Sequence, residues 1–429
     1  MADYDARRTI DGLARQVRDG RLSRREFVRR AAALGLSAPL MGAALAACGA
    51  TATPTAGSGA AGAAGEEYKI GANLDTSGAG SSLGVPERDT LILYEKQVND
   101  AGGIKGPDGK NHRIRVIIYD NTSDEAQSVQ VTRKLIDDDK VAIIIGATRT
   151  ATTQAIIGEV TRAQVPLISL AASAALVEPV AERKWIFKTP QSDALMIANI
   201  LKTSQGRGYK RIAFLSAGDA FGSTARDVWL KRAPEAGITT TVDDRFGVSD
   251  KDLTTQLNRV KSSDAEALVL WGITDATAVG VKNYADLGMK IPIFLSHGVA
   301  NRAFLDLAGP AANGALLPAG KLLTAESLPD SDAQKQVLLK YAREYEAAYG
   351  AGKRNTFGGH AWDALQIALQ VLGKVGPDRA KIRDEIEGVK GFVGITGIFN
   401  FSAQDHNGLD ERAVQLTTIE GGNWKAVTA

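Results

Sequence analysis

The chain alternates short apolar runs with stretches of helical periodicity, and this alternation limits the possible folds more than any other feature. From residue 68 to 188, runs of mostly β-branched residues alternate with segments whose apolar residues recur every three or four positions. Thr189-Pro190 interrupts the series, and a second series extends to residue 296. Strands that are apolar at every position are typical of parallel sheets covered by helices on both faces. The sequence therefore predicts two doubly wound α/β lobes in tandem, followed by helices from Asp332 onward.

The periodicity also predicts approximate bounds for each element. The expected strands cover residues 68–74, 114–119, 141–145, 165–169, 185–188, 211–215, 239–246, 267–271 and 291–296. The expected helices cover residues 87–100, 125–137, a segment from about 150, then 195–205, 224–233, 253–261 and 277–287. Two strand-like pieces, 397–401 and 413–419, follow the C-terminal helices.

Residues 141–173 contain the clearest candidate for a binding site. The apolar run that opens this stretch ends in a glycine, and a hydroxyl-rich turn with Thr148, Arg149 and Thr150 then precedes a helical pattern. A second short strand, 165–169, ends in a loop of small residues. Strand ends and a helix N-terminus therefore meet at one point, where unpaired backbone N–H groups and hydroxyls can bind a small anion. This arrangement predicts a site for a carboxylate group.

The N-terminal segment has the features of an export signal. Two consecutive arginines, Arg24 and Arg25, precede an Ala-rich and mildly apolar run, which ends in Leu-Ala-Ala before Cys48. This arrangement resembles a twin-arginine signal joined to a lipoprotein cleavage site. The alternative is a transmembrane anchor, but about 17 weakly apolar residues make a marginal span. We expect residues 1–47 to be removed as a signal peptide, Cys48 to carry lipid, and residues 48–65 to form a flexible tether.

Charge and cysteine content exclude several classes of protein. The first 47 residues hold nine Arg and five acidic residues, and subtracting these from the totals of 51 basic and 49 acidic residues leaves 42 and 44. The nearly neutral body argues against nucleic-acid binding, which needs a concentrated basic face. Cys48 is the only cysteine, so a disulfide within the chain and a cysteine metal cluster are excluded. The four histidines are scattered without metal-ligand spacing, so we predict no metal and no cofactor.

Three glycine-rich patterns could suggest nucleotide binding or catalysis. Residues 57–62 match G-x-G-x-x-G, but they lie in the tether without a strand or helix beside them. Residues 78–84 approximate a dinucleotide turn, and Asp120 ends the second predicted strand, but the loop begins too far beyond the first strand. Residues 80–84 match G-x-S-x-G with Ser82 as nucleophile, but a loop of about ten residues lacks the required tight turn. We favour a loop that lines a cleft, with a serine hydrolase using Ser82 as an alternative.

Many short segments resemble, in the same order, the periplasmic leucine/isoleucine/valine-binding proteins, which are type I substrate-binding components of ABC importers. The segments are NLDTSGAGSSLG, VNDAGGIKG, YDNTSDEAQSVQVTRKLIDDDKVAIIIGATRTATTQA, PLISLAAS, DAFGSTARD, NGALLPAG, FGGHAWDALQIA and GITGIFNFSAQDHNG. The resemblance implies two lobes joined by a three-crossing hinge, with crossings near Thr189, Gly320 and Phe401. The implied lobes comprise residues 66–189 plus 321–397 for lobe 1, and 190–320 plus 398–429 for lobe 2.

The resemblance also implies residues for the carboxylate site. The family holds the ligand carboxylate with a serine or threonine hydroxyl and with backbone groups of two neighbouring loops on the first lobe. The matching positions are Thr150 for the hydroxyl, and Ala171 and Ser173 for the loops, in agreement with the anion site that the residues predict independently. Arg149 could add positive charge there. Trp271, which ends a predicted strand at the cleft, is expected either to contact the apolar part of the ligand or to pack in the core.

Several positions depart from the amino-acid binders of this family. His297 stands where those binders place an acidic residue for the ligand ammonium, and an imidazole cannot replace a carboxylate as the partner of a cation. Leu83 stands where the family commonly has an aromatic residue, and Phe221 stands where it has a tyrosine. These changes favour an apolar or aromatic carboxylate without an ammonium group. The alternative is an amino acid whose ammonium group is bound by Asp219 or Asp275. The predicted ligand-binding residues are thus Thr150, Ala171, Ser173, Arg149, Leu83, Phe221, Trp271, His297, Asp219 and Asp275.

Together these observations predict an extracytoplasmic solute-binding protein of an ABC importer, and not an enzyme. Lipid on Cys48 would hold it at the outer face of the cytoplasmic membrane, in the periplasm or at the cell surface. It would close on a small solute by hinge motion and present it to a membrane permease. We expect a monomer that binds no nucleic acid, in which His360 packs on a helix face. A ligand-sensing receptor domain of the same fold is the alternative binding function.

Overall fold

The computed structural model describes residues 65–427. The predicted signal peptide, Cys48 and the tether as far as residue 64 lie outside the described residues. Between residues 65 and 427, no helix combines the length and the apolarity that crossing a bilayer requires.

The first lobe is built on a five-stranded parallel sheet. Its strands are β1 (Tyr68–Leu74), β2 (Ile114–Asp120), β3 (Ile143–Gly146), β4 (Leu167–Ser169) and β5 (Ile186–Lys188). They lie in the order β2-β1-β3-β4-β5, and all neighbours are parallel. The connecting helices are α1 (Ser81–Asp100), α2 (Glu125–Asp137) and α3 (Thr150–Ala163). Every residue of β3 is buried, as expected for a strand covered by helices on both faces.

The second lobe has a seven-stranded sheet. Its strands are β6 (Arg211–Ala217), β7 (Thr239–Phe246), β8 (Ala267–Trp271), β9 (Ile293–Leu295), β10 (Leu316–Ala319), β11 (Gln415–Glu420) and β12 (Asn423–Ala426). The order is β7-β6-β8-β9-β10-β11-β12, with β11 and β12 antiparallel to their neighbours. The accompanying helices are α4 (Asp193–Gly206), α5 (Ala220–Glu235), α6 (Thr254–Lys261), α7 (Thr274–Asp286) and α8 (Arg302–Ala308). The two predicted doubly wound lobes are confirmed.

The C-terminal helices return to the first lobe. They are α9 (Lys335–Tyr349), α10 (Thr356–Val375) and α11 (Arg379–Glu387). Leu338 and Leu365 share one buried core with Ile70 of β1. Residues 398–413 belong to the same core, because Phe401 stacks on Phe399 and meets Phe187 edge to face. The expected assignment of everything from residue 398 to lobe 2 therefore fails for the part before β11.

Short elements complete the described chain. Two-residue ladders pair Ile104–Lys105 with Asn111–His112, and Phe392–Val393 with Ile398–Phe399. Short 3₁₀ segments occur at Gly78–Gly80, Ala174–Leu176, Val180–Glu182, His297–Val299, Gly309–Ala312, Lys321–Ser327 and Glu411–Ala413.

The helix α1 shows the largest difference from the predicted bounds, because it starts at Ser81 instead of 87. Pro86 suggested a later start, since a proline usually breaks a helix. Here the helix accommodates Pro86 in its second turn. Gly84 permits the close packing of this segment on the end of β1, where a Cβ would lie 2.2 Å from the carbonyl oxygen of Asp75. The short strand β10 escaped prediction because Pro318 argues against a strand.

Gln191 lies where the three crossings between the lobes meet. Its Nε2 donates hydrogen bonds of 2.9 Å to the carbonyl oxygens of Thr396 and Ala413. A Cβ at Gly320, on the second crossing, would come within 2.9 Å of the same Nε2. One buried side chain therefore contacts all three crossings.

Candidate ligand-binding site

Both sheets share a strand order that creates a crevice at their carboxyl ends. In the first lobe β1 lies between β2 and β3, and in the second lobe β6 lies between β7 and β8. The chain therefore leaves neighbouring strands in opposite directions at each of these points, which is where open α/β sheets bind ligands. The turns after β3, β4, β6, β8 and β9 contribute residues to one cavity between the lobes.

This cavity is lined mainly by apolar side chains. The lining residues are Leu83, Thr148, Arg149, Thr150, Leu170, Ala172, Pro190, Asp219, Phe221, Ile273, His297, Gly298, Phe357 and His360. Six of the ten residues predicted for ligand binding are among them: Thr150, Arg149, Leu83, Phe221, His297 and Asp219.

Thr150 begins α3 and presents a free hydroxyl to the cavity. The residue is 2% exposed, and its Oγ1 has no hydrogen-bond partner among residues 65–427. The neighbouring hydroxyls of α3 are already engaged, because Thr152 donates to Asp75 at 3.1 Å and Thr153 lies 3.1 Å from the carbonyl oxygen of Ala147. The helix N-terminus also carries partial positive charge. A hydroxyl donor at this position suits a carboxylate.

Arg149 lines the same end, but its charge is already compensated. Its Nε donates to the buried Asp75 carboxylate at 2.6 Å, and its Nη2 donates to the carbonyl oxygen of Ser123 at 2.6 Å. The guanidinium therefore stabilises the loops that follow β1 and β2, and it adds little net charge to the cavity. Behind it, Thr148 donates to Glu87 at 2.5 Å, and burial raises the pKa of that carboxyl well above its ordinary value.

Ala171 and Ser173 do not line the cavity, in contrast to the prediction. The N–H of Ala171 donates to Ser169 Oγ at 3.1 Å. Ser173 caps the following 3₁₀ turn by accepting the N–H of Ala175, and it lines a separate cleft beside Asp193. Leu170 and Ala172 of the same loop contact the cavity instead.

His297 occupies the second-lobe side of the cavity in an aromatic setting. Its ring lies 5.6 Å from that of Phe221 and 5.7 Å from that of Trp271, and both pairs meet edge to face. Neither ring nitrogen has a hydrogen-bond partner in the described chain. Burial, assisted by the charge of Lys188, lowers the pKa of His297 to about 3, so the imidazole is neutral at physiological pH. Trp271 is fully buried behind Phe221 and His297 and does not reach the cavity.

The two aspartates proposed as partners for an ammonium group differ in position. Asp219 lines the cavity, is partly exposed, and caps α5 by accepting the N–H of Gly222 at 2.9 Å. Gly222 is required there, because a Cβ would lie 1.9 Å from the carbonyl oxygen of Ala217. Asp275 is exposed on α7 and lies outside the lining.

Two residues near the cavity escaped functional prediction. His360 lines it from α10, with its Nδ1 2.8 Å from Thr396 Oγ1, so its predicted role as a packing residue alone is incomplete. Lys188 is fully buried behind Pro190, and its Nζ donates to the Pro190 carbonyl oxygen at 2.6 Å. Burial lowers the pKa of Lys188 to about 7. The predicted return of the C-terminal helices to the first lobe was a signal that His360 could reach the cavity. The sequence carries no signal that Lys188 lies behind it.

Two polar contacts join the lobes beside the cavity. Ser82 Oγ donates to Thr274 Oγ1 at 3.1 Å, and Thr356 Oγ1 donates to the carbonyl oxygen of Ala300 at 3.3 Å. Ser82 lies in the first turn of α1 instead of a nucleophile elbow, and its hydroxyl serves this contact. Within residues 65–427, no group of three or more His, Cys, Asp or Glu residues is arranged to hold a metal ion.

Comparison with known families agrees with this geometry. The family model described as periplasmic binding protein matches residues 67–423. The chain belongs to the periplasmic binding protein family. Members of this family bind solutes outside the cytoplasm and do not transform them, so this periplasmic binding protein is not an enzyme.

Individual relatives of this periplasmic binding protein are distant in sequence. The Leu/Ile/Val-binding protein homolog 1 of Brucella suis biovar 1 is 23% identical over 258 residues, which is 59% of this chain and 67% of the relative. The crystal structure of an extracellular ligand-binding receptor from Rhodopseudomonas palustris HaA2 has 29% identity and a TM-score of 0.77, covering 84% of this chain and 99% of that one. The branched-chain amino acid transporter substrate-binding protein of Streptococcus pneumoniae, solved with isoleucine, shares the fold at 23% identity, with a TM-score of 0.73 and coverage of 84% and 99%.

Proposed function

We propose that this protein captures a small carboxylate-bearing solute between its lobes and presents it to the permease of an ABC importer. The observation that carries the proposal is the buried, unpartnered hydroxyl of Thr150 at the N-terminus of α3, facing a cavity that both lobes line. A branched-chain or other amino acid, or an apolar or aromatic acid, is compatible with a lining that combines the Thr150 hydroxyl with mainly apolar side chains. The names of the relatives support the importer role.

Closure of the lobes would couple capture to delivery. Residues from both lobes line the cavity, so the solute gains its full set of contacts only when the lobes meet. A ligand shifts such an equilibrium only through its differential affinity for the closed form. The contacts Ser82–Thr274 and Thr356–Ala300 would add to the closed form.

Export and anchoring are part of the same proposal. The twin-arginine pattern and Cys48 support lipidation after export, which would hold a monomer at the outer face of the cytoplasmic membrane through its tether. Metabolic labelling with a radioactive fatty acid should mark the wild-type protein and not the Cys48→Ser variant. Equal labelling of the two would disprove the anchor.

A thermal-shift screen followed by calorimetry tests the binding function. Amino acids, aliphatic and aromatic acids, amides and short diacids would be added to the purified protein, since a ligand of the folded state raises its melting temperature. We expect at least one carboxylate to bind with one-to-one stoichiometry and to be recovered unchanged. A solute that is converted, or a screen with no binder, would contradict the proposal.

Replacing Thr150 with valine should weaken binding of the identified carboxylate at least about tenfold, because one charge-assisted hydrogen bond is lost while the side-chain shape is kept. Calorimetric titration measures the change. The matched control is Thr161→Val, which makes the same substitution in α3 at a position away from the cavity lining. Equal affinities of wild type and Thr150→Val would remove Thr150 from the site.

A further inference from the structure

The two sides of the cavity differ in charge and hydrogen-bonding capacity. On the first lobe, the unpartnered hydroxyl of Thr150 and the N-terminus of α3 suit a carboxylate. Among the described second-lobe residues that line the cavity, His297 is the one with buried unpartnered polar atoms, its two ring nitrogens, and the unpartnered Nε1 of Trp271 lies behind it. The buried polar partner that the second lobe offers to the solute is therefore uncharged.

A buried negative charge for an ammonium group is absent from the described lining. Asp219 is the one carboxylate that lines the cavity, and it is partly exposed and already caps α5. Asp75 and Glu87 lie behind the first-lobe loops and bind Arg149 and Thr148. An ammonium group inside the cavity would lose its hydration without gaining a buried anion, which is unfavourable.

The nearest buried cation adds to this discrimination. Lys188 lies directly behind Pro190, which lines the cavity, and it forms no ion pair within residues 65–427. Burial lowers the pKa of Lys188 to about 7, so only part of the Lys188 population is charged at neutral pH. The charged form attracts a carboxylate and repels an ammonium group.

A hydroxyl group is the substituent that His297 can hold in either tautomer. A neutral imidazole offers one N–H donor and one acceptor nitrogen, and a hydroxyl can both accept and donate. An ammonium group, in contrast, only donates, and a hydrogen atom makes no hydrogen bond. The side chains of Leu83, Phe221 and Phe357 leave an apolar space for the body of the solute.

We infer that the solute is a carboxylic acid that carries a hydroxyl group and no ammonium group, and that His297 is the residue that selects it. This inference rests on the proposed function, because it names the solute class of the same cavity. Thr150 binds the carboxylate, His297 binds the hydroxyl, and the apolar walls enclose the hydrocarbon part.

Matched sets of compounds test the inference by calorimetric titration of the purified protein. One set is 2-hydroxy-4-methylpentanoate, 4-methylpentanoate and leucine, and the other is 3-phenyllactate, 3-phenylpropanoate and phenylalanine. Within a set the compounds differ only in the hydroxyl, hydrogen or ammonium group beside the carboxylate. We expect the hydroxy acid to bind at least about tenfold more tightly than the amino acid, with the unsubstituted acid between them.

Two variants test the role of His297 in selecting the solute. His297→Ala should reduce the preference for the hydroxy acid over the unsubstituted acid to less than about threefold. His297→Glu should shift the preference toward the amino acid, because it supplies the missing anion.

The outcomes distinguish this inference from the proposed function. Amino acids that bind as tightly as the hydroxy acids, or amino-acid binding that Asp219→Asn abolishes, would overturn the inference while the binding function stands. If other solutes of the thermal-shift screen bind and none of the six compounds does, the inference is also overturned and the binding function stands. If neither the six compounds nor any solute of the screen binds, the inference and the proposed function fail together.

Discussion

Replacing Lys188 with methionine should raise the free energy of unfolding at pH 7.5 and remove most of its dependence on pH between 7.5 and 9.5. Burial lowers the pKa of Lys188 from 10.5 to about 7, although the carboxylates of Asp193, Asp405 and Glu178 act in the opposite direction. Between pH 7 and 10.5 the unfolded state therefore binds more protons than the folded state, so stability rises with pH in this window. The full effect is on the order of 5 kcal/mol, at about 1.4 kcal/mol per pH unit.

Urea unfolding at pH 7.5, 8.5 and 9.5 measures this effect. The pKa of Asp363 rises to about 7 and that of His297 falls to about 3, so these two groups change their proton binding mainly below the window. Methionine keeps the length of the side chain, and the Pro190 carbonyl keeps its hydrogen bond from Asn407 Nδ2 at 3.0 Å. Lys202→Met, at a side chain that is 79% exposed, is the control. The same pH slope in Lys188→Met and wild type would refute the assignment.

Replacing Trp271 with alanine should lower the free energy of unfolding by about 3 to 5 kcal/mol, because a fully buried indole leaves a large cavity. Trp271 packs in the second-lobe core, with its ring 6.4 Å from that of Phe214 and 5.5 Å from that of Phe221. Binding should weaken as well, since His297 loses one of its two aromatic neighbours.

Chemical denaturation compares this variant with Trp424→Ala. Trp424 lies on the edge strand β12 and is only partly buried, so its loss should cost less than half as much. If Trp271→Ala abolished binding with less than about 1 kcal/mol lost from stability, Trp271 would be a direct ligand contact after all.

The sequence predicted those features of the site that depend on local pattern. The apolar run of β3 and the hydroxyls that follow it identified the start of α3, and Thr150 lies in the cavity as expected. Local pattern also placed most strands and helices within about four residues, a margin typical of element boundaries.

Features that depend on distant contacts could not be read from the sequence. The charge of Arg149 appeared available because its partner, Asp75, comes 74 residues earlier in the chain. His360 reaches the cavity only because α10 returns to the first lobe after the whole second lobe has formed. Ala171 and Ser173 were transferred from a family pattern, but the hydrogen bonds within their own loop direct them away from the cavity.

The position of Gln191 has a mechanical consequence for the way the lobes move. Gln191 lies on the first connection, its amide donates to Ala413 on the third, and it lies beside Gly320 on the second, so bending of one segment disturbs its contacts with the other two. We therefore expect the three segments to bend together. Coupled segments allow the lobes fewer relative orientations than three independent segments would.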